Sequence, residues 1–331
     1  MRIEAFSEGK DLDAPEANED RFLALPGRGY AVIDGVTDIS GRLYDGMRAG
    51  RLASGIVQRA AVELLAGPAE AEATPERLVA DISAALCAAY ERHGMLEAAR
   101  ADPSKRFGAT LTLAVDLGAV FRFILIGDSG LRLNGAETFI VDSGLDRVTA
   151  SLRQEAYRMV ADAGGSPDDR MRVGRACAFH GGLKLTPDMR PWLDEARLKT
   201  VYARALERCH KLLPNVPEAD LRRLLDGGIA AQGQFQNNTV SPLSYAVLDG
   251  FGIPLSLVQI IDRPRASIQS IELFTDGYFK PGAAPDIAAW ETAFAEVERT
   301  DPGKIGPYPS VKGSTARVRT DDRTVVIVFP N

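Results

Sequence analysis

Apolar positions in this chain follow two different periods. Short runs rich in β-branched and aromatic residues, RIEAF, RFLAL and YAVID, open it, and such runs read as strands. The PGRG between the second and third predicts a hairpin ending at Asp34. From Gly41 to about Ala66 the spacing of Leu43, Met47, Ile56, Val57 and Leu64 predicts a helix, and Thr74-Pro75 opens a second one through Tyr90. Strand-type runs return in ATLTLAVD, VFRFILIGD, LRLN and ETFIV, with turn residues at Leu117-Gly118 and Asn134-Gly135, the pattern of an antiparallel meander. Residues 146–240 are instead helical and arginine-rich, divided by Pro167, Pro187, Pro191, Pro214 and Pro217, and read as an insertion upon the sheet. LSYAV and SIQSIELFTD resume the strands, a helix covers about 285–299, a Pro/Gly-rich loop runs to Gly313, and TVVIVF closes the chain. Blocks of strands flanked by helices, without strict strand–helix alternation, predict a layered α+β sandwich over a Rossmann-like sheet.

Three of the apolar strands stop at an acidic residue in the same way. YAVIDG delivers Asp34, FILIGDSG delivers Asp128 and SIELFTDG delivers Asp276, each followed at once or after one residue by glycine. Asp321-Asp322 immediately precedes the last strand, and Glu19-Asp20 precedes RFLAL. A single Asp-Gly after a strand is ordinary turn chemistry; the signal lies in the set. Strand ends pin their side chains, and clustered carboxylates are hard oxygen ligands suited to Mg²⁺ or Mn²⁺ rather than to zinc. Two such ions about 3.5–4 Å apart activate a bridging water and neutralise a phosphoryl group in transfer, so the pattern points to metal-dependent hydrolysis of a phosphate ester.

Composition narrows the partners more than the chemistry. With 331 residues, 45% of them hydrophobic and 25% charged, the chain has the make-up of a folded globular protein. The net charge of −6, with basic residues scattered among acidic ones, argues against a nucleic-acid partner. No stretch resembles a membrane span or a targeting leader, and the cytoplasm is the expected compartment. Cys87, Cys177 and Cys209 lie far apart and read as small buried hydrophobes, not as a zinc site or a disulfide framework. GRGY at 27–30 is a turn and not a phosphate loop, since no Lys-Ser/Thr and no helix follow. Trp192 and Trp290 fall in helical segments and read as packing residues, and QGQFQNNT at 232–239 reads as a surface connection.

Six motifs, taken in order, resemble the PP2C family (PPM superfamily) of metal-dependent Ser/Thr protein phosphatases, in the form of a divergent bacterial-type member. They are NEDRF with Glu19 and Asp20, AVIDG with Asp34 and Gly35, FGATLT with Gly108 and Thr110, IGDSG with Asp128, LFTDG with Asp276 and Gly277, and DDRTVVIV with Asp321 and Thr324. They span nearly the whole chain. The resemblance implies one domain over 1–331: a four-layer αββα sandwich of two antiparallel sheets flanked by helices, with 146–240 as a helical flap. It further implies that Asp34 bridges two Mg²⁺ or Mn²⁺ ions, that the Gly35 carbonyl ligates one of them, and that Asp276 and Asp321 hold the first ion. Glu19 would contact the second through its shell, and Asp128 with Asp276 would bind a third. Asp20 and Asp322 match positions that support these ligands, although Asp322 stands where the family usually has Asn.

Two departures stand out. The arginine that many members carry four residues before the Glu of the first motif is Pro15 here, so an arginine of the insertion, such as Arg170, Arg172, Arg175, Arg190, Arg197 or Arg204, is a candidate replacement on the phosphate. The His that often follows the DG of the second motif is replaced by Val36-Thr37-Asp38, which leaves a metal-bound water or Asp38 as the candidate proton donor to the leaving group. The expected activity is hydrolysis of phosphoserine and phosphothreonine in a phosphorylated protein. A regulatory or binding module with weak or absent catalysis, and a phosphatase of a non-protein phosphoester, remain open; so does the oligomeric state.

Overall fold

The computed structural model describes residues 1–37, 41–67 and 74–330. Its elements in chain order are β1 (Arg2–Glu8), β2 (Arg21–Leu25), β3 (Gly29–Ile33), β4 (Leu43–Tyr44), β5 (Met47–Arg48), α1 (Ala49–Ala66), α2 (Pro75–Arg92), α3 (Leu96–Ala101), β6 (Leu111–Asp116), β7 (Val120–Ile126), β8 (Gly130–Leu133) and β9 (Glu137–Phe139). Then come α4 (Leu145–Asp162), α5 (Pro167–His180), α6 (Glu195–Leu212), α7 (Glu218–Gly227), β10 (Gln259–Pro264), β11 (Ile271–Phe274), α8 (Ile287–Thr300) and β12 (Arg323–Phe329). They form two compact units, one of residues 1–142, 245–296 and 317–331, the other of residues 143–244 and 297–316.

The first unit holds two five-stranded sheets, ordered β1-β12-β11-β8-β9 and β10-β7-β6-β3-β2, with antiparallel pairing throughout. Alternate residues of a strand face opposite sides of its sheet, and β3 shows what this builds. Its Tyr30 and Val32 join Phe121, Phe123, Leu273 and Val326 in a core between the two sheets. Its Ala31 and Ile33 join Ile56, Val57, Leu78 and Ile82 of α1 and α2 in a second core on the outer face. Beyond the other sheet, Phe274, Val325 and Ile327 pack with Trp290 of α8. Helices, sheet, sheet and helix therefore form the expected four-layer αββα sandwich, and Trp290 is a fully buried packing residue.

Three local expectations are corrected and one strand is added. Residues 43–48 form the hairpin β4–β5 instead of the start of a helix, because Asp45 and Gly46 both take positive φ, 51° and 78°, as a two-residue type I′ turn requires and a right-handed helix forbids. The central meander is split: β6 and β7 lie in one sheet and β8 and β9 in the other, so the chain changes sheets at Gly127-Asp128-Ser129. LSYAV forms no strand; beside it, Leu248 makes only a single bridge to Ala109. The strand at that side of the sheet is β10, QIIDRP, whose charges and terminal proline disguise it. It is an edge strand, where proline and charge discourage further pairing, and Arg122 grips Asp262 across to β7 at 2.8 and 2.9 Å.

In the second unit, α4–α7 bury Leu152, Val173, Val201, Leu221 and Leu224, and a Ser166/Asp169 capping box starts α5. Arg153, fully buried, donates to the carbonyls of Gly303, Lys304 and Ser310 at 2.7, 2.9 and 3.0 Å, which pins the 303–310 segment. Cys177 and Cys209 are buried here, and burial pushes their thiols up to about 12 and about 11. A thiolate is the reactive form, so Ellman's reagent on the native protein is expected to leave both unmodified until denaturant is added. Rapid labelling of either one would contradict their placement.

Candidate active site

The acidic residues singled out in the sequence all belong to the first unit, where strand ends position them. Asp34 follows β3, and its carbonyl accepts from Thr110 N–H at 2.8 Å while Val36 N–H donates to Gly108 at 3.0 Å. Asp276 follows β11 by two residues; there Thr275 N–H donates to Thr324 O at 3.0 Å and Thr275 Oγ1 accepts from Thr324 N–H at 2.9 Å. Asp128 sits at the crossing between sheets, beside Ser129, whose hydroxyl pairs with Thr110 Oγ1 at 2.8 Å. Glycine is required at two of these turns by close approach. A Cβ on Gly35 would lie 2.3 Å from Gly50 O and 2.8 Å from Glu19 O, and one on Gly277 would lie 2.0 Å from Asp322 O.

Long-range hydrogen bonds stitch these ends together. Thr275 Oγ1 donates to Asp20 Oδ2 at 2.8 Å. Asp322 accepts from the backbone N–H of Lys10 at 2.6 Å and of Glu19 at 3.3 Å, so its carboxylate anchors two segments that lie some three hundred positions earlier. The Lys10 ammonium reaches Glu19 Oε2 at 3.0 Å, Asp321 Oδ1 at 3.1 Å and Asp322 Oδ2 at 3.2 Å. Thr37 Oγ1 donates to Glu19 Oε2 at 3.0 Å.

Electrostatics register the crowding. Burial raises the Asp34 carboxyl well above the usual carboxylate range, and the charges of Asp276, Asp20, Asp321 and Asp128 raise it further. Burial, then Asp322, pushes Asp20 up to about 7 against the hydrogen bonds from Thr275 and Thr324. Asp128 is raised by burial and by Asp321 and Asp142. Burial disfavours the charged form of Lys10, but Asp321, Asp322 and Glu19 more than reverse this and keep it protonated.

Hydrogen bonds and ion pairs thus link residues 19, 321 and 322 through Lys10 and residue 20 to Thr275, and the charges of residues 20, 128, 276 and 321 act on Asp34, whereas Asp38 lies outside the described residues. Among the described residues no three His, Cys, Asp or Glu side chains already converge as a metal-ligand group. The donor chemistry nonetheless fits a hard divalent cation: the oxygens are all carboxylate, and two buried ones, Glu19 Oε1 and Asp20 Oδ1, have no hydrogen-bond partner, a costly state for charged groups.

Lys10 and Thr37 were missed as members of this cluster; the cue was a lone lysine, Gly9-Lys10, just past the first strand. Pro15, at the position of the absent arginine, begins a 3-10 turn. Of the insertion's arginines, Arg170, Arg172 and Arg197 are engaged within the second unit, on Gly165 O, Asp169 and Trp192 O respectively.

No family model and no curated protein matches the chain. Solved structures that it resembles in fold include bacterial Ser/Thr phosphatases. The Mycobacterium tuberculosis phosphatase PstP/Ppp is 19% identical, with 98% of this chain and 97% of that one covered at a TM-score of 0.48. A second structure, the PstP catalytic domain with two manganese ions, gives 18%, 98%, 96% and 0.47. Stp1 of Staphylococcus aureus gives 11%, 99%, 94% and 0.46. The likeness is one of fold alone.

Proposed function

We propose that this chain is a Mg²⁺- or Mn²⁺-dependent phosphatase acting on phosphoserine and phosphothreonine in proteins. One observation carries the reading: Asp34 feels Asp276, Asp20, Asp321 and Asp128 together, carboxylates that come from four other stretches of the chain. Such crowding of like charges destabilises a fold unless cations offset it. Asp34, the Gly35 carbonyl, Asp276 and Asp321 are the groups that would hold the metal, with Glu19 and Asp128 flanking. When bound, the metal supplies a water of lowered pKa and neutralises phosphoryl charge.

The protein's own contribution is positioning. β3 and β11 bring Asp34 and Asp276 from opposite sheets, and the Asp20–Thr275–Thr324 chain of hydrogen bonds fixes the turn that presents Asp276. Asp322 fixes the segments carrying Lys10 and Glu19. Fixed groups of this kind favour reaction because little reorganisation is needed on the way to the transition state.

The expected result is phosphate release from p-nitrophenyl phosphate and from phosphoserine and phosphothreonine peptides with Mn²⁺, abolished by EDTA. Turnover of the aryl phosphate without any peptide activity would move the substrate to a non-protein phosphoester. A binding module is the second reading, favoured by Pro15 in place of arginine and by the lysine lodged among the acids. Equal, background-level rates with Mn²⁺ and with EDTA would select it.

A further inference from the structure

Lys10 is built into the cluster from both ends. Its N–H donates to Asp322 Oδ1 at 2.6 Å and its carbonyl accepts from Arg319 N–H at 2.8 Å. Its ammonium lies within 3.2 Å of oxygens from Glu19, Asp321 and Asp322 and donates to Thr37 Oγ1 at 3.0 Å, with 14% of the side chain exposed. Surface lysines trail into solvent; this one is surrounded by oxygen as a bound cation would be. Glu19 is wholly buried, and its second oxygen, Oε1, has no hydrogen-bond partner. The carboxylates that Lys10 engages include Asp321 and Glu19, two of the residues assigned above to the metal. A divalent ion drawing on these oxygens would sit against a fixed positive charge, and like charges at such range repel strongly away from bulk water.

We propose that Lys10 is a built-in cation that takes the place of one divalent ion on the Glu19 side, so that the native site loads one ion tightly where a lysine-free site loads two. This rests on the metal-dependent reading given above. The compact, strongly hydrated ammonium of lysine suits such a point-charge role. It also gives the acidic pocket part of its compensation before any metal arrives.

The test counts ions rather than turnover. Full-length parent, Lys10→Met and Lys10→Arg proteins are stripped with EDTA, reloaded with excess Mn²⁺, desalted and analysed for manganese per chain. The parent and Lys10→Arg are expected to retain one ion and Lys10→Met two. In EDTA the melting temperature of Lys10→Met should fall by about 5–10 °C, as when one partner of a buried ion pair is lost, and Mn²⁺ should raise it by more than it raises the parent. Two ions on the parent overturn the proposal whether or not the methionine variant folds, and leave the phosphatase reading intact. Equal counts in parent and Lys10→Met overturn it as well. No ion on either protein, with no metal-dependent turnover, removes both readings.

Discussion

Replacing Asp34 with asparagine is expected to lower manganese-dependent kcat/KM on p-nitrophenyl phosphate by about 10³-fold or more, while raising the melting temperature of the metal-free protein. The first effect follows from asking metal-centred charge stabilisation to supply several kcal/mol: losing about 4 kcal/mol of it corresponds to about three decades in rate. The second follows from the sign of the Asp34 shift. Its carboxyl is raised in the folded state by burial, then by Asp276, Asp20, Asp321 and Asp128. A raised carboxyl costs stability above its folded pKa, because the native state then carries a charge the unfolded chain carries more easily. The cost is relieved as pH falls through the folded value towards the ordinary one. Asparagine removes the charge at every pH, so the gain should shrink as pH falls towards the ordinary carboxylate range and vanish when Mn²⁺ saturates the parent. Steady-state kinetics with calorimetry on EDTA-treated protein checks both halves. Asparagine protein that turns over within about tenfold of the parent, or that melts lower than the parent without metal, would remove Asp34 from the centre of the site.

Opposed effects of this kind, activity lost and stability gained, mark residues kept for chemistry at the expense of the fold. Asp34, Asp128 and Asp276 were legible because strand, acid and glycine are neighbours in the chain, and local patterns report local structure. The αββα layering was legible for a related reason: β3, β6, β7 and β12 are apolar runs long enough to announce themselves. Lys10 was not legible, because what places it is the pairing of β1 with β12. The register Ser7 with Thr324 and Glu8 with Arg323 carries the chain just beyond β1 to residues 321–322. No local pattern specifies a partner more than three hundred positions away. The false helix start at Leu43 has a different origin. Leu43 and Met47 are four apart, as on one helix face, but Asp45-Gly46 between them selects a turn, and turn chemistry outweighed apolar spacing. Strand β10 was hidden because an edge strand has reason to carry the charge and proline that a buried strand avoids.

The sheet that holds β8 and β11 offers the second large effect, and it concerns stability rather than chemistry. Glu272 of β11 and Arg132 of β8 are register partners, both buried beneath α8, at 0% and 5% exposure. Arg132 Nε donates to Glu272 Oε1 at 2.9 Å, its Nη2 makes a second, closer bond to Oε2, and its Nη1 donates to Gly282 O at 2.6 Å. Trp290 Nε1 completes the shell of Oε2 at 2.8 Å. Glu272→Ala leaves a guanidinium and an indole N–H without their acceptor in a dry layer, a loss of about 3–5 kcal/mol in chemical denaturation. Replacing both partners by apolar residues of similar size, Arg132→Met with Glu272→Leu, removes the two charges together and should recover most of that loss, since a desolvated ion pair is seldom more stabilising than good packing. The pair earns its place by register: a one-residue slip of β11 on β8 would turn Glu272 to the opposite face of the sheet, among Leu131, Leu273 and Val326. Denaturation of the two single variants and the double variant forms a cycle that separates the alternatives. A double variant as unstable as Glu272→Ala would mean that the ion pair itself, and not the penalty of breaking it, holds α8 and this sheet together.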